Sequence, residues 1–67
     1  MYGKVKWFND DKGYGFIVPE NNSPDVFLHI SDLMKAGIHE VKEGQRLEYE
    51  MGMGRNGRAC AQKIRLA

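Results

Sequence analysis

The sequence predicts an all-β protein: one small domain folded as a closed or nearly closed five-stranded antiparallel barrel. Three observations predict it. The chain has only 67 residues, so a single core of about a dozen side chains is all it can bury. Apolar residues recur with a period of two in short segments, most cleanly at Leu47, Tyr49 and Met51 against Arg46, Glu48 and Glu50, the pattern of a strand with one wet face. Clusters of Gly, Asn, Asp and Pro separate five such segments, and closing the sheet removes the edges that five short strands would otherwise expose.

Taken in order, Tyr2 to Asn9 reads as the first strand, with Val5 alternating against Lys4 and Lys6 before two adjacent rings, Trp7 and Phe8. Asn9-Asp10-Asp11-Lys12-Gly13 supplies turn chemistry. Tyr14 to Val18 forms the second strand, halted by Pro19 and the turn-rich loop Glu20-Asn21-Asn22-Ser23-Pro24, and Asp25 to Ile30 forms the third. Ser31 to Gly37 offers an N-cap in Ser31 and a stop in Gly37, enough for little more than one helical turn. Glu43-Gly44 turns the chain into the fourth strand, Gln45 to Met51. Gly52 to Gly57 is a loop in which Asn56-Gly57 suits a tight hairpin, and Arg58 to Leu66 closes the barrel.

Composition excludes several classes. Ten Lys and Arg stand against nine Asp and Glu, which argues against a histone-like or membrane-coating protein. The distribution is uneven: residues 51–67 carry four basic groups and no acidic one, whereas residues 21–50 carry three basic and six acidic, so ends that meet in the fold would form a mildly positive zone. The single cysteine, Cys60, lacks metal-ligand spacing to His29 or His39 and reads as a small, partly buried strand residue in a reducing compartment. The first residues run straight into Lys4-Val5-Lys6-Trp7-Phe8, with no apolar run long enough for a leader or a membrane span. The expectation is a cytoplasmic protein, without cofactor or metal, whose default state is a monomer.

Parity in the third strand selects the core. Val26, Leu28 and Ile30 share one face, Phe27 and His29 the other. The aliphatic set joins Val5, Ile17, Leu33, Leu47, Met51 and Ile64 as the expected core. That leaves Tyr14, Phe16, Phe27 and His29 outside, with Trp7 beside them and parity sending only one of Trp7 and Phe8 inward. Gly13 and Gly15 are expected to leave the backbone beside these rings bare, so that a flat partner can approach. For any single aromatic in a small domain the core is the commoner home, but a barrel this small cannot swallow both parity sets. A solvent-facing aromatic cluster implies a partner. Lys4, Lys6 and Lys12 lie around it in sequence, with Arg55 and Arg58 available from the Gly-rich loop. Rings interleaved with cations suit a single nucleic-acid strand, whose bases stack while its phosphates meet the charges.

Gly3-Lys4-Val5-Lys6-Trp7-Phe8-Asn9, Lys12-Gly13-Tyr14-Gly15-Phe16-Ile17, Asp25-Val26-Phe27-Leu28-His29-Ile30-Ser31 and Glu43-Gly44-Gln45 closely resemble the bacterial cold-shock proteins, over nearly the whole chain. The resemblance implies one cold-shock domain over residues 1–67, folded as a five-stranded OB-type barrel. It implies binding of single-stranded RNA and DNA with weak sequence preference, as an RNA chaperone or a transcription antiterminator. Where the motifs match, the implied binding residues are Lys6, Trp7, Asn9, Lys12, Tyr14, Phe16, Asp25, Phe27 and His29; the loop adds Arg55 or Arg58 as the candidate phosphate contact. Tyr14 stands where the family usually has phenylalanine. Ile30 and Ile38 stand where many members place stacking phenylalanines, and isoleucine offers contact area without a π face. The implied platform is therefore shorter or weaker than that of the family's strongest binders, and the loop from Met51 to Arg58 is one residue longer than common versions.

Two other classes compete. Gly52-Met53-Gly54-Arg55-Asn56-Gly57 spells the dinucleotide-binding G-x-G-x-x-G, but the ten residues after it are too few for the helix and strand that mechanism needs. His29 with Asp25 or Asp32 could be drawn as a general base, yet no nucleophile or oxyanion donor set accompanies it. The expectation is that the protein is not an enzyme. The alternative is a protein-interaction module that uses the same aromatic patch.

Overall fold

The computed structural model describes residues 1–54 and 57–67. Among them are five strands and one short helix: β1 Tyr2–Asn9, β2 Tyr14–Pro19, β3 Val26–His29, α1 Ile30–Lys35, β4 Arg46–Met53 and β5 Ala59–Leu66. The strands close into a barrel in the order β1-β2-β3-β5-β4, an all-β OB-type barrel. Every pairing is antiparallel except the closure of β3 on β5, which is parallel and rests on Phe27 opposite Cys60.

The core is the aliphatic parity set. Val5, Ile17, Val26, Leu28, Leu33, Leu47 and Ile64 are buried together with Tyr49, Ala61 and Ile38, and Phe8 and Val41 pack against them. Burying side chains of this size contributes ~1.5–3 kcal/mol each, and this cluster is what orders the outer face. Two expected members differ. Met51 is 43% exposed, because β4 pairs with β1 only as far as Glu48 and beyond that with β5 alone; among the described residues no third strand covers the inner side of the ribbon at Met51. Ile30 is half-buried, because the chain leaves β3 one residue earlier and Ile30 opens the helix. Tyr49, 1% exposed, fills the core in place of Met51.

Two bulges set the parities. In β1 the register slips between Val5, opposite Ile17, and Trp7, opposite Phe16. The extra residue, Lys6, lets Val5 point inward while Trp7 joins the outer face. In the β4–β5 pair a second slip lies between Glu48 and Glu50, and Lys63 of β5 takes φ 50 there.

The helix begins at Ile30, and its N-cap is His29, not Ser31. Gly15 also differs from expectation. It is buried, and a Cβ there would meet Trp7 O at 2.2 Å and Phe8 Cα at 2.8 Å. Its bareness lets β1 approach β2 at the bulge; it does not floor the space beside the rings. Gly13, at φ 74, is likewise buried, beneath Ile30. The G-x-G-x-x-G stretch begins with the last two residues of β4, and the next element among the described residues is β5, not the helix a dinucleotide site requires.

Candidate nucleic-acid interface

Five ring-bearing side chains meet across three neighbouring strands. In the ladder, Trp7 stands opposite Phe16, Phe16 opposite Phe27, and Tyr14 opposite His29. The Trp7 ring lies edge-on to Tyr14 at 5.7 Å and to Phe16 at 5.3 Å. Tyr14 stacks on Phe27 at 5.7 Å with only 25° between planes, Phe16 meets Phe27 edge-on at 5.7 Å, and His29 extends the row at 6.1 Å from Phe27. These spacings are those of favourable aromatic pairs, so the rings brace one another while their outward faces stay accessible. Tyr14, Phe16 and Phe27 are half-buried, Trp7 is 37% exposed, and His29 is exposed.

Charge borders the row on two sides. Lys6, displaced outward by the bulge, reaches across β2 to Asp25 at 3.0 Å, so one carboxylate and one ammonium stand at the Trp7–Phe27 flank. Lys12 lies exposed on the turn at the opposite end. The turn itself is held by Asn9, whose Oδ1 accepts from the Lys12 backbone N–H at 2.9 Å and whose carbonyl accepts from Gly13 N–H at 2.8 Å. Asn9 thus positions Lys12 as well as bordering the face.

The remaining expected contacts separate. Ile30 stays beside the platform: its N–H donates to Gly13 O at 2.9 Å, next to the turn that carries Lys12. Ile38, 9% exposed, is a core residue whose N–H donates to Leu33 O at 2.9 Å, and in this position offers little outward surface for a base. Arg55, and Asn56 of the expected hairpin turn, lie outside the described residues.

Sequence reasoning missed a group on the β1–β4 side. Arg46 donates twice to Glu20, at 2.6 and 3.2 Å, and lies 4.2 Å from the centre of the Tyr2 ring. The guanidinium bonded to Glu20 holds that carboxyl below its ordinary range. The signal for the pairing lies only in three-dimensional closure, since the partners are distant in the chain. Burial, with a smaller contribution from the charge of Glu20, pushes the Tyr49 hydroxyl upward. Among the described residues no cluster of His, Cys, Asp and Glu is arranged to hold a metal ion, and no helix is long and apolar enough to cross a membrane. Cys60 is buried in β5 with a free thiol.

A five-stranded barrel whose outer sheet presents contiguous rings between lysines has the build of a nucleic-acid-binding β-barrel. A family model described as the 'Cold-shock' DNA-binding domain matches residues 1–67, and the chain belongs to the cold-shock domain family. It is 48% identical over 64 residues to Cold shock-like protein CspE of Escherichia coli (strain K12), covering 96% of this chain and 93% of that protein. It is also 48% identical over 64 residues to the Major cold shock protein of Micrococcus luteus, covering 96% of each. The Probable cold shock protein y4cH of Sinorhizobium fredii is 55% identical over 49 residues, 73% of this chain and 71% of that protein.

Proposed function

We propose that the protein binds single-stranded RNA and DNA with weak sequence preference, and that it acts in the cytoplasm as an RNA chaperone or antiterminator, keeping RNA unpaired. It works as a monomeric single domain without enzymatic activity or cofactor. The observation that carries this reading is the continuous ring row Trp7, Tyr14, Phe16, Phe27 and His29 across β1, β2 and β3. Bases stack on such rings for ~1–3 kcal/mol each, with little preference among them. A duplex keeps its bases paired and its π faces covered, so the platform favours the open strand. Lys6 and Lys12 meet phosphates at its borders, and Asp25 offers an acceptor for a base amino group. Few phosphate contacts imply a shallow salt dependence.

Trp7 emission tests the proposal directly. Quenching by single-stranded oligo-dT or oligo-U, with no response to a duplex of equal length, is the expected result; an unchanged signal at saturating single strand would remove the platform. Unfolding of an RNA hairpin at stoichiometric protein then separates a chaperone from a passive binder.

A further inference from the structure

The barrel carries a second surface feature next to the His29 end of the ring row. Because β3 and β5 run parallel with Phe27 opposite Cys60, both strands travel the same way from that pair, β3 toward His29 and β5 toward Gln62. There β3 passes into α1. Between α1 and β5 lies a groove of about 520 Å³, walled by Lys35 of the helix and by Lys63 and Arg65 of the strand, with Asp32 as the one carboxylate in its lining. Three cations against one anion leave the groove positive.

The cations are available. Glu50 approaches Lys63 only to 3.8 Å, with both side chains well exposed, a pairing of little strength in water. Glu48 stands opposite Arg65 in the ladder, but no ion pair joins them among the described residues. The backbone is also held in a costly form here. Lys63 adopts φ 50, a left-handed conformation that costs a non-glycine residue on the order of 1 kcal/mol or more. It sits at the β5 bulge, where Ile64 turns into the core and leaves Lys63 and Arg65 both outward.

The geometry points to a phosphate-binding extension of the platform: the α1–β5 groove takes the backbone of a single strand that runs on past His29, with Lys35, Lys63 and Arg65 as counter-charges. This rests on the reading of the ring row as a single-strand platform and adds to the length of strand engaged. The groove offers cations and no ring, so its contribution is affinity without base preference.

Strand length and salt separate the two surfaces. Oligo-dT of about four and about twelve nucleotides, within the range of single-strand site sizes for such barrels, is titrated against wild type and Lys35→Gln/Lys63→Gln/Arg65→Gln at several salt concentrations. The wild type should bind the longer strand with a steeper salt slope, by roughly 0.7 for each added phosphate contact. The triple variant should lose that added slope and weaken toward the longer strand by about tenfold, while its affinity for the shorter strand changes by less than about twofold. An unchanged slope for the longer strand, or equal losses for both lengths, would overturn the groove and leave the platform standing. Failure of the wild type to bind either strand would overturn the platform, and the groove with it. Lys35→Gln alone, an exposed helix residue that is not itself part of the β5 bulge, provides the same comparison with a partial loss if the triple variant does not fold.

Discussion

His29 closes the first turn of α1: its Nδ1 accepts a hydrogen bond from the backbone N–H of Ser31 at 3.1 Å and stands 2.9 Å from Ser31 Oγ. A ring nitrogen that accepts holds no proton, so in the neutral ring the proton is on Nε2. One side chain thereby ties the outer face to the helix, and presents a ring together with an N–H donor.

Two substitutions should divide these roles. His29→Asn keeps an N-capping group and loses the ring, so stability should hold while affinity for oligo-dT falls by roughly tenfold, within the ~1–3 kcal/mol expected of one stacked base. His29→Phe keeps the ring and loses the cap, so affinity should hold while the domain loses about 1 kcal/mol. Thermal melts beside fluorescence titrations check both, and a parallel fall of both quantities in either variant would contradict the division.

The two isoleucines should respond in opposite ways to the same change. Ile30 is half-buried at the end of the ring row, and Ile30→Phe adds a π face there; affinity for oligo-dT should rise by up to about fivefold, or roughly 1 kcal/mol. Ile38 lies in the core, so Ile38→Phe overpacks it and should cost ~1–3 kcal/mol in urea denaturation without tightening binding.

Tyr49 places its hydroxyl in the core without a hydrogen-bond partner among the described residues. An unsatisfied buried hydroxyl costs ~1–3 kcal/mol. Tyr49→Phe keeps the ring and removes the cost, so the urea midpoint should rise, by about 1 kcal/mol of stability; a fall would mean that the hydroxyl is satisfied in solution.

The Glu20–Arg46 pair predicts a feature of the acid limb. The folded carboxyl titrates below its ordinary 4.5, so the pair contributes stability above that pH and the contribution fades as pH falls through the lower folded value. Glu20→Gln should therefore flatten the fall in stability below about pH 4.5, most visibly at low salt, because the pair is exposed. Identical acid limbs in the two proteins would show that the pair does not form in solution.

Much of this molecule can be read from local pattern. The bounds of β1, the opposed faces of β3 and most of the aliphatic core follow from a period of two, because one buried face constrains every second residue. What escaped lies where the period breaks or the contact is non-local. Val5 and Trp7 share a parity in sequence and part company only through the bulge at Lys6. Met51 keeps the alternation of Leu47 and Tyr49 but outruns the strand that would cover it. The parallel pairing of Phe27 with Cys60 has no sequence signal, since nothing near either residue encodes it. Ser31 has the residue type of an N-cap, yet the imidazole two positions before it takes that role, accepting from the backbone N–H of Ser31 itself. On the outer face, the ring row was legible as a parity set, whereas the withdrawal of Ile38 depended on how the loop after α1 folds back on Leu33.

The bulge at Lys6 has one more consequence. A slip of β1 by a single residue would not strip the face of the ring that β1 supplies, because Phe8 would move out as Trp7 moved in. The error would preserve an aromatic surface and exchange its identity. As Trp7 is the chain's one tryptophan, that exchange would move the indole from the solvent border into the apolar interior, and its emission would shift to the blue. The protein thus carries an optical record of its own strand alignment, readable before any ligand is added.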